Sequence, residues 1–378
     1  MPCHDREEAG RDPCPEPDFR SIAEKIVRTC LRIRPGQVVQ VGGGIHAFGF
    51  LSAVAAAVRR AGGFAELSVT SDDLQLETLE TVPIEYLQQV PAYRLKWLED
   101  VHAMIVTDWT EDPRRAERVC LNRRLAAQAA VEAVQRRLAE SDVRWAYVGY
   151  PTRAAAEELG IPFCRWWTAF WRAVDADYEA MASRAAAVVR RLEESRTLRI
   201  VTPQGTDLTL TLAGRPVLAD DGVISDDDAA EQDTAVTLPA GRVFTAPAED
   251  SANGRLVVDS ATWGGRRWRN VELVVSQGRI RVSGSDAEAR EFGRVLDAGH
   301  GDKDRIGELG IGINPAVDRF TGSDTLDTRR AGAVYVGVGD NRLIGGANAA
   351  TLSWQLCLER PTVLADGRPL LREGEFCL

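Results

Sequence analysis

Two hydrophobic patterns divide this chain, and the change between them near residue 195 constrains its fold more than any other feature. From Phe19 onward, Ile22, Ile26, Cys30 and Ile33 recur close to every 3.6 residues and stop at Pro35-Gly36, which predicts an amphipathic helix. "QVVQV" (37–41) then reads as a β-branched strand, Gly42-Gly43-Gly44 as a turn, and His46 to Arg60 as a helix closed by Gly62-Gly63. The alternation continues with strands at 64–70, 102–109 and 143–150 and a long Ala/Arg-rich helix over about 115–139. Strands separated by helices pair in parallel, because a crossover of that length returns the chain to the same end of a sheet. Past a helix from Tyr178 to about Ser195, "TLRIVTPQGTDLTLTLAG" and "VELVVSQGRIRVSG" each hold two alternating strands about a Gly-containing turn, the pattern of antiparallel hairpins. The expected fold is an α/β domain with a parallel sheet over 19–195 and a β-rich (α+β) domain over 196–378, preceded by a frayed tail over 1–18.

Length agrees with two cores, since 378 residues exceed what one core commonly fills. A net charge of −10 works against a large electrostatic grip on phosphate backbones, so nucleic acid is not an expected partner. No apolar run approaches the roughly 20 residues that span a bilayer, and no secretory signal pattern opens the chain; no membrane partner and a cytoplasmic location are expected. The seven cysteines, Cys3, Cys14, Cys30, Cys120, Cys164, Cys357 and Cys377, are scattered without a Cys-x-x-Cys pair and read as reduced and structural. Cys3, His4 and Cys14 match no zinc-module spacing.

Several local patterns carry both a chemical and a structural reading. Gly42, Gly44 and Ala47 spell G-x-G-x-x-A between a strand and a helix, with Asp72 after the next strand, as in a dinucleotide fingerprint; the same glycines serve any tight strand-to-helix turn, which is the favoured reading. His46, His102 and His300 form no i, i+4 or His-x-Asp pair, and His102 opens an apolar strand as a satisfied edge histidine would. Trp166, Trp167, Trp171 and Tyr178 crowd one stretch, which suits a packed core or dimer seam better than a stacking pocket. In "LPAGRVFTAPAEDSANG" (238–254), Arg242, Glu249 and Asp250 flank one strand and suit a carboxylate or an amine. In "GELGIGINP" (307–315), Glu308 enters a Gly-rich strand, where an acid serves as a metal ligand or an acid/base, or simply sits at the surface.

In sequence order, "LPAGRVFTAPAEDSANG", "GELGIGINP", "VYVGVGDN", "GGANAATLSW" and "DGRPLLREGEF" resemble the aminopeptidase T / aminopeptidase S family of metallopeptidases. The likeness runs from about Phe19 to Phe376 and takes in "DADYEAMASRAAAVVRRLEESRTLRIVTPQGTDLTLTLAGRP". It implies an N-terminal α/β domain, a C-terminal β-rich domain carrying two metal ions that activate water, and a dimer, here expected to be a homodimer, enclosing the active site. Carried over residue by residue, the ligand set is broken. The glutamate of the first motif is Arg242, the histidine before "GDN" is Tyr335, and the closing His-x-Asp is Ser353-Trp354-Gln355; of five implied ligands only Glu308 remains. A guanidinium repels a cation, and serine, glutamine and neutral tyrosine are weak ligands, so no metal and no cofactor is expected. An iron-dependent dihydroxypyridine dioxygenase group, similar in fold, relies on a His and His-x-Asp set that the same replacements exclude.

The motif positions around the pocket are nevertheless kept: Gly307, Gly310, Gly312, Asp340, Asn341, Asn348 and Ala246-Pro247. The first expectation is therefore a metal-independent enzyme acting on a small amino-acid-derived or short-peptide substrate. Arg242 would bind a carboxylate or oxyanion, Glu308 would act as base and Tyr335 as proton or hydrogen-bond donor, with Asp250, Asp340, Asn348, Ser353 and Gln355 holding the substrate. One alternative is an inactive binding subunit in which Arg242 pairs with Glu308. Another is residual metallo-aminopeptidase activity through His300, Glu249 and Asp250.

Overall fold

In the computed structural model, which describes residues 14–212 and 214–378, five parallel strands form the first sheet. Their order is Phe64–Thr70, Val38–Gly44, Ala103–Val106, Arg144–Val148 and Ala235–Leu238. Alternate residues face opposite sides, so Ala103 and Ile105 enter the main core while Met104 and Val106 join a smaller one with Leu98, Val101 and Val143. Both faces are covered, as a parallel sheet requires.

The fifth strand crosses the division expected at 195. Ala235–Leu238 comes from the second segment yet pairs with Arg144–Val148 from the first. A four-residue alternating strand carries no mark of the sheet it joins, so its sequence pattern fits either side of the boundary. The glycine triplet also differs from expectation: it continues the first strand instead of turning. The long helix begins at Leu121, after a 3-10 turn over Pro113–Arg118 capped by Asp112. The first helix, Phe19–Lys25, passes into a π-helical turn over Ile26–Cys30.

The second segment builds an eight-stranded sheet and a separate five-stranded antiparallel sheet. The latter runs Ser353–Leu358, Val334–Gly339, Ile306–Gly312, Arg242–Thr245, Val217–Asp220 and holds the candidate site. Because Arg242 follows Leu238 after a short bend, the two sheets are joined by continuous backbone. Buried Asn314 ties this junction to the aromatic helix Phe163–Val174, donating from Nδ2 to Ala173 O (3.0 Å) and Ala240 O (2.8 Å). In that helix Trp166 and Trp171 are buried, and Trp171 meets Phe19 edge-on and Phe50 at a tilt, the arrangement of a packed core.

Reading all the cysteines as reduced is overturned at one pair: Cys14 and Cys164 form a disulfide across 150 residues. Cys14–Asp18, expected to fray with the tail, lie against the aromatic helix, where Trp167 Nε1 donates to Pro15 O (3.0 Å). Cys3 and His4 lie outside the described residues. No helix among the described residues is long and apolar enough to cross a membrane.

Candidate functional site

Antiparallel register places the site on one face of the five-stranded sheet. Asp220 opposes Arg242, Arg242 opposes Gly312, Phe244 opposes Gly310, Gly310 opposes Tyr335, Glu308 opposes Gly337, and Gly337 opposes Gln355. Since directly opposed residues point the same way, Asp220, Arg242, Phe244, Glu308, Tyr335 and Gln355 project together. Gly310 is needed at its position: a Cβ there would lie 2.1 Å from Tyr335 Cζ, so the phenol ring crosses the strand only over a glycine. The ring thereby reaches both neighbours.

Three of the expected residues meet in this way. The Tyr335 hydroxyl donates to Glu308 Oε1 at 2.5 Å, and Arg242 Nη1 donates to the Tyr335 oxygen at 3.2 Å. The same Nη1 lies 3.6 Å from Glu308 Oε1, and the guanidinium stacks over Phe244 at 4.4 Å from the ring centre. Arg242 Nε is buried without a hydrogen bond among the described residues, its nearest carboxylate being Asp220 Oδ2 at 3.5 Å. Asp220 in turn accepts from Arg329 Nη2 (3.3 Å), and Arg329 Nε donates to Pro239 O. Two guanidiniums and two carboxylates thus face a phenol.

Electrostatics fix the protonation of two members. Burial, reinforced by the Glu308 carboxylate, pushes the Tyr335 phenol well above its usual value, so Tyr335 is a neutral donor. Burial works to lower the Arg242 value, but Tyr335, Asp220 and Glu308 outweigh it and leave Arg242 a firm cation. Burial lowers Arg329, with Asp220 opposing. Tyr335 is 1% exposed, while Arg242 and Glu308 keep 25% and 13% of their side chains open, so a ligand has access to the charged pair and not to the phenol.

The other expected residues are spread around this centre. Gln355 is one strand from Glu308, across Gly337, and its Nε2 is 3.5 Å from the hydroxyl of exposed Ser353. Asn348 is buried and spends its amide on Ile306 O, holding the start of the Glu308 strand. Asp340 accepts from Arg342 and from Ala350 N in the adjoining loop. Asp250 is exposed at a turn and touches none of the three central residues. Glu249 is bound by Arg215 and by Ala347 N, which leaves it little ligand capacity.

Asp220 and Arg329 were not singled out from the sequence. "VLAD" is an ordinary short strand, and Arg329 in "DTRRAG" reads as a surface arginine, yet it is 6% exposed. Neither has a local signal: Asp220 is placed by strand order, and Arg329 reaches it from a turn. The dinucleotide reading fails on packing: a Cβ at Gly42 would meet Trp109 at 2.7 Å, so that ring covers the glycine where a pyrophosphate would approach. Asp72 accepts from the backbone of Glu111 and Asp112 and is not free for a ribose. His102 is satisfied at the strand edge, where Nδ1 accepts from Val38 N.

A divalent ion does not fit these residues. The guanidinium of Arg242 stands 3.6 Å from Glu308 and 3.5 Å from Asp220, so it already supplies the positive charge between the two carboxylates. Among the described residues, no three His, Cys, Asp or Glu side chains group as a metal site.

Against known proteins, residues 16–339 match the family model of the thermophilic metalloproteases (M29). A solved structure of wild-type AmpT from Thermus thermophilus is similar, with 20% identity, 95% of this chain and 99% of that chain covered, and a TM-score of 0.68. The 2,5-dihydroxypyridine dioxygenase of Pseudomonas putida KT2440 is similar as well, with 17% identity, 95% and 96% covered, and a TM-score of 0.61. Among curated proteins none matches. At these identities the two structures speak for the fold alone.

Proposed function

The chain belongs to the thermophilic metalloprotease (M29) family, and we propose that it is a metal-independent member acting on a small amino-acid-derived or short-peptide substrate. The observation that carries this reading is the 3.6 Å approach of Arg242 to Glu308, a partly open ion pair where the family resemblance implies metal ions. Arg242 binds the substrate carboxylate or a developing oxyanion, using the side of the guanidinium turned away from Tyr335. Glu308 takes the proton. Tyr335, kept neutral, orients Glu308 through its hydrogen bond, and Gln355 with Ser353 holds the far end of the substrate. Asp250, Asp340 and Asn348 belong to the surrounding frame. A second copy of the chain is the setting we assign, and size-exclusion chromatography with light scattering tests it.

Turnover of a library of dipeptides, aminoacyl amides and amino-acid derivatives, with metal content measured on the same sample, tests the proposal. Activity unaffected by chelator and abolished by Glu308→Gln supports it. Chelator-sensitive turnover with stoichiometric divalent metal refutes it.

A second reading has its own support. Arg242, Tyr335 and Glu308 bond to one another without a ligand, as in a binding subunit that no longer turns over. Ligand-induced thermal stabilisation without product from any library member favours it.

A further inference from the structure

The described N-terminal stretch Cys14-Pro15-Glu16-Pro17 lies along the aromatic helix Phe163–Val174. It is attached to that helix in two ways. Cys14 is bonded to Cys164, and Trp167 Nε1 donates to Pro15 O at 3.0 Å. Beside it lies an open groove of about 230 Å³ whose lining includes Pro15, Pro17, Ile22, Trp167 and Trp171. An indole N–H on the carbonyl of a Pro-x-Pro stretch, above an aromatic wall, is the geometry by which aromatic grooves hold extended proline-rich segments. Prolines fix φ and lose little entropy on docking, but an open groove beside the strap leaves dispersion contacts unmade. Among the described residues, one hydrogen bond and an open groove are a weak hold. The covalent bond supplies the rest.

We propose that this groove is a proline-binding site occupied in cis by Pro15–Pro17, and that the Cys14–Cys164 disulfide is a redox latch whose reduction releases the strap. The groove lies outside the Arg242 cluster, and the inference does not depend on the function proposed for that cluster. Both cysteines are only partly buried, within reach of a small thiol. In the release step a thiolate of a dithiol such as dithiothreitol attacks one sulfur of the pair. The protein disulfide breaks, taking two electrons and two protons overall, and the dithiol closes to its own disulfide.

The test uses the full chain purified without reductant. Thiol titration after denaturation finds two more thiols in the reduced protein than in the oxidised one. Hydrogen exchange follows the amide of Phe19, which donates to Pro17 O at 2.8 Å; reduction speeds it at least about tenfold more than it speeds the core strands. Acrylamide quenching of tryptophan fluorescence rises on reduction, and Trp167→Phe removes most of that rise. Cys14→Ser and Cys164→Ser each behave without reductant as the reduced wild type does. Equal thiol counts before and after reduction overturn the proposal, as do exchange and quenching that reduction leaves unchanged.

Discussion

Tyr335 donates its hydroxyl proton to Glu308 across 2.5 Å while accepting from Arg242 across 3.2 Å, so one buried phenol links the two charges of the site. Tyr335→Phe keeps the ring over Gly310 and removes only the link. Removal costs about 1–2 kcal/mol of stability, because Glu308 loses a buried donor. Chemical denaturation reads this cost.

Arg242→Met leaves Asp220 and Glu308 facing each other without the cation between them. Removing one partner of a largely buried ion pair costs about 3 kcal/mol at neutral pH. Chemical denaturation of variant and wild type at pH 7 checks the cost, and a difference under about 1 kcal/mol would overturn it.

Gly310→Ala puts a methyl group 2.1 Å from the Tyr335 ring. The ring must move or the strands must part, at about 1–3 kcal/mol for overpacking a buried site. The substitution therefore also breaks the link to Glu308. A crystal structure or the tyrosine near-ultraviolet dichroism of the variant reads the displacement.

Stability falls as pH rises from about 4 to 7. Burial raises Asp324 to about 7, with Asp327 adding to the shift, and raises Asp259 and Asp221 to about 6 each. An unfolded aspartate titrates near 3.9, so across this window the native state holds protons that the unfolded state has released. Their contribution is full below about pH 4 and is lost as pH climbs through 6 and 7. Asp318 acts oppositely: hydrogen bonds from Arg172 and Arg319 hold it down to about 2, and its contribution is lost as pH falls toward that value. Thermal unfolding at pH 5 to 8 shows the decline, and Asp324→Asn flattens its upper part.

Cys14→Ser lowers stability under oxidising conditions by about 3 kcal/mol, since the bond closes a long loop in the unfolded chain. In excess dithiothreitol the variant and wild type unfold together. Urea midpoints with and without reductant give the comparison.

Much of the fold was legible in the sequence because burial imposes periods that a chain cannot hide. The strands at Phe64–Thr70 and Arg144–Val148, the helix ending at Glu193 and the hairpin Val271–Ser276 with Arg279–Val282 all follow from 3.6-residue or two-residue repeats. Ala235–Leu238 shows the limit: its alternation announces a strand and is silent on its partner. The Cys14–Cys164 pair was illegible for the same reason, since nothing local joins residues 150 positions apart.

The residue types at positions 242, 308, 335, 353 and 355 belong to the sequence alone: a cation, a carboxylate, a phenol and two neutral polar groups. What those side chains touch was decided by strand order and register. Asp220 entered the site because antiparallel neighbours far apart in the chain share one face of a sheet, Arg329 reaches Asp220 from a turn, and Asp250 stayed outside. Periodicity is a local property that every segment carries, whereas pairing depends on which complete set of buried faces packs together, and only the folded chain settles that.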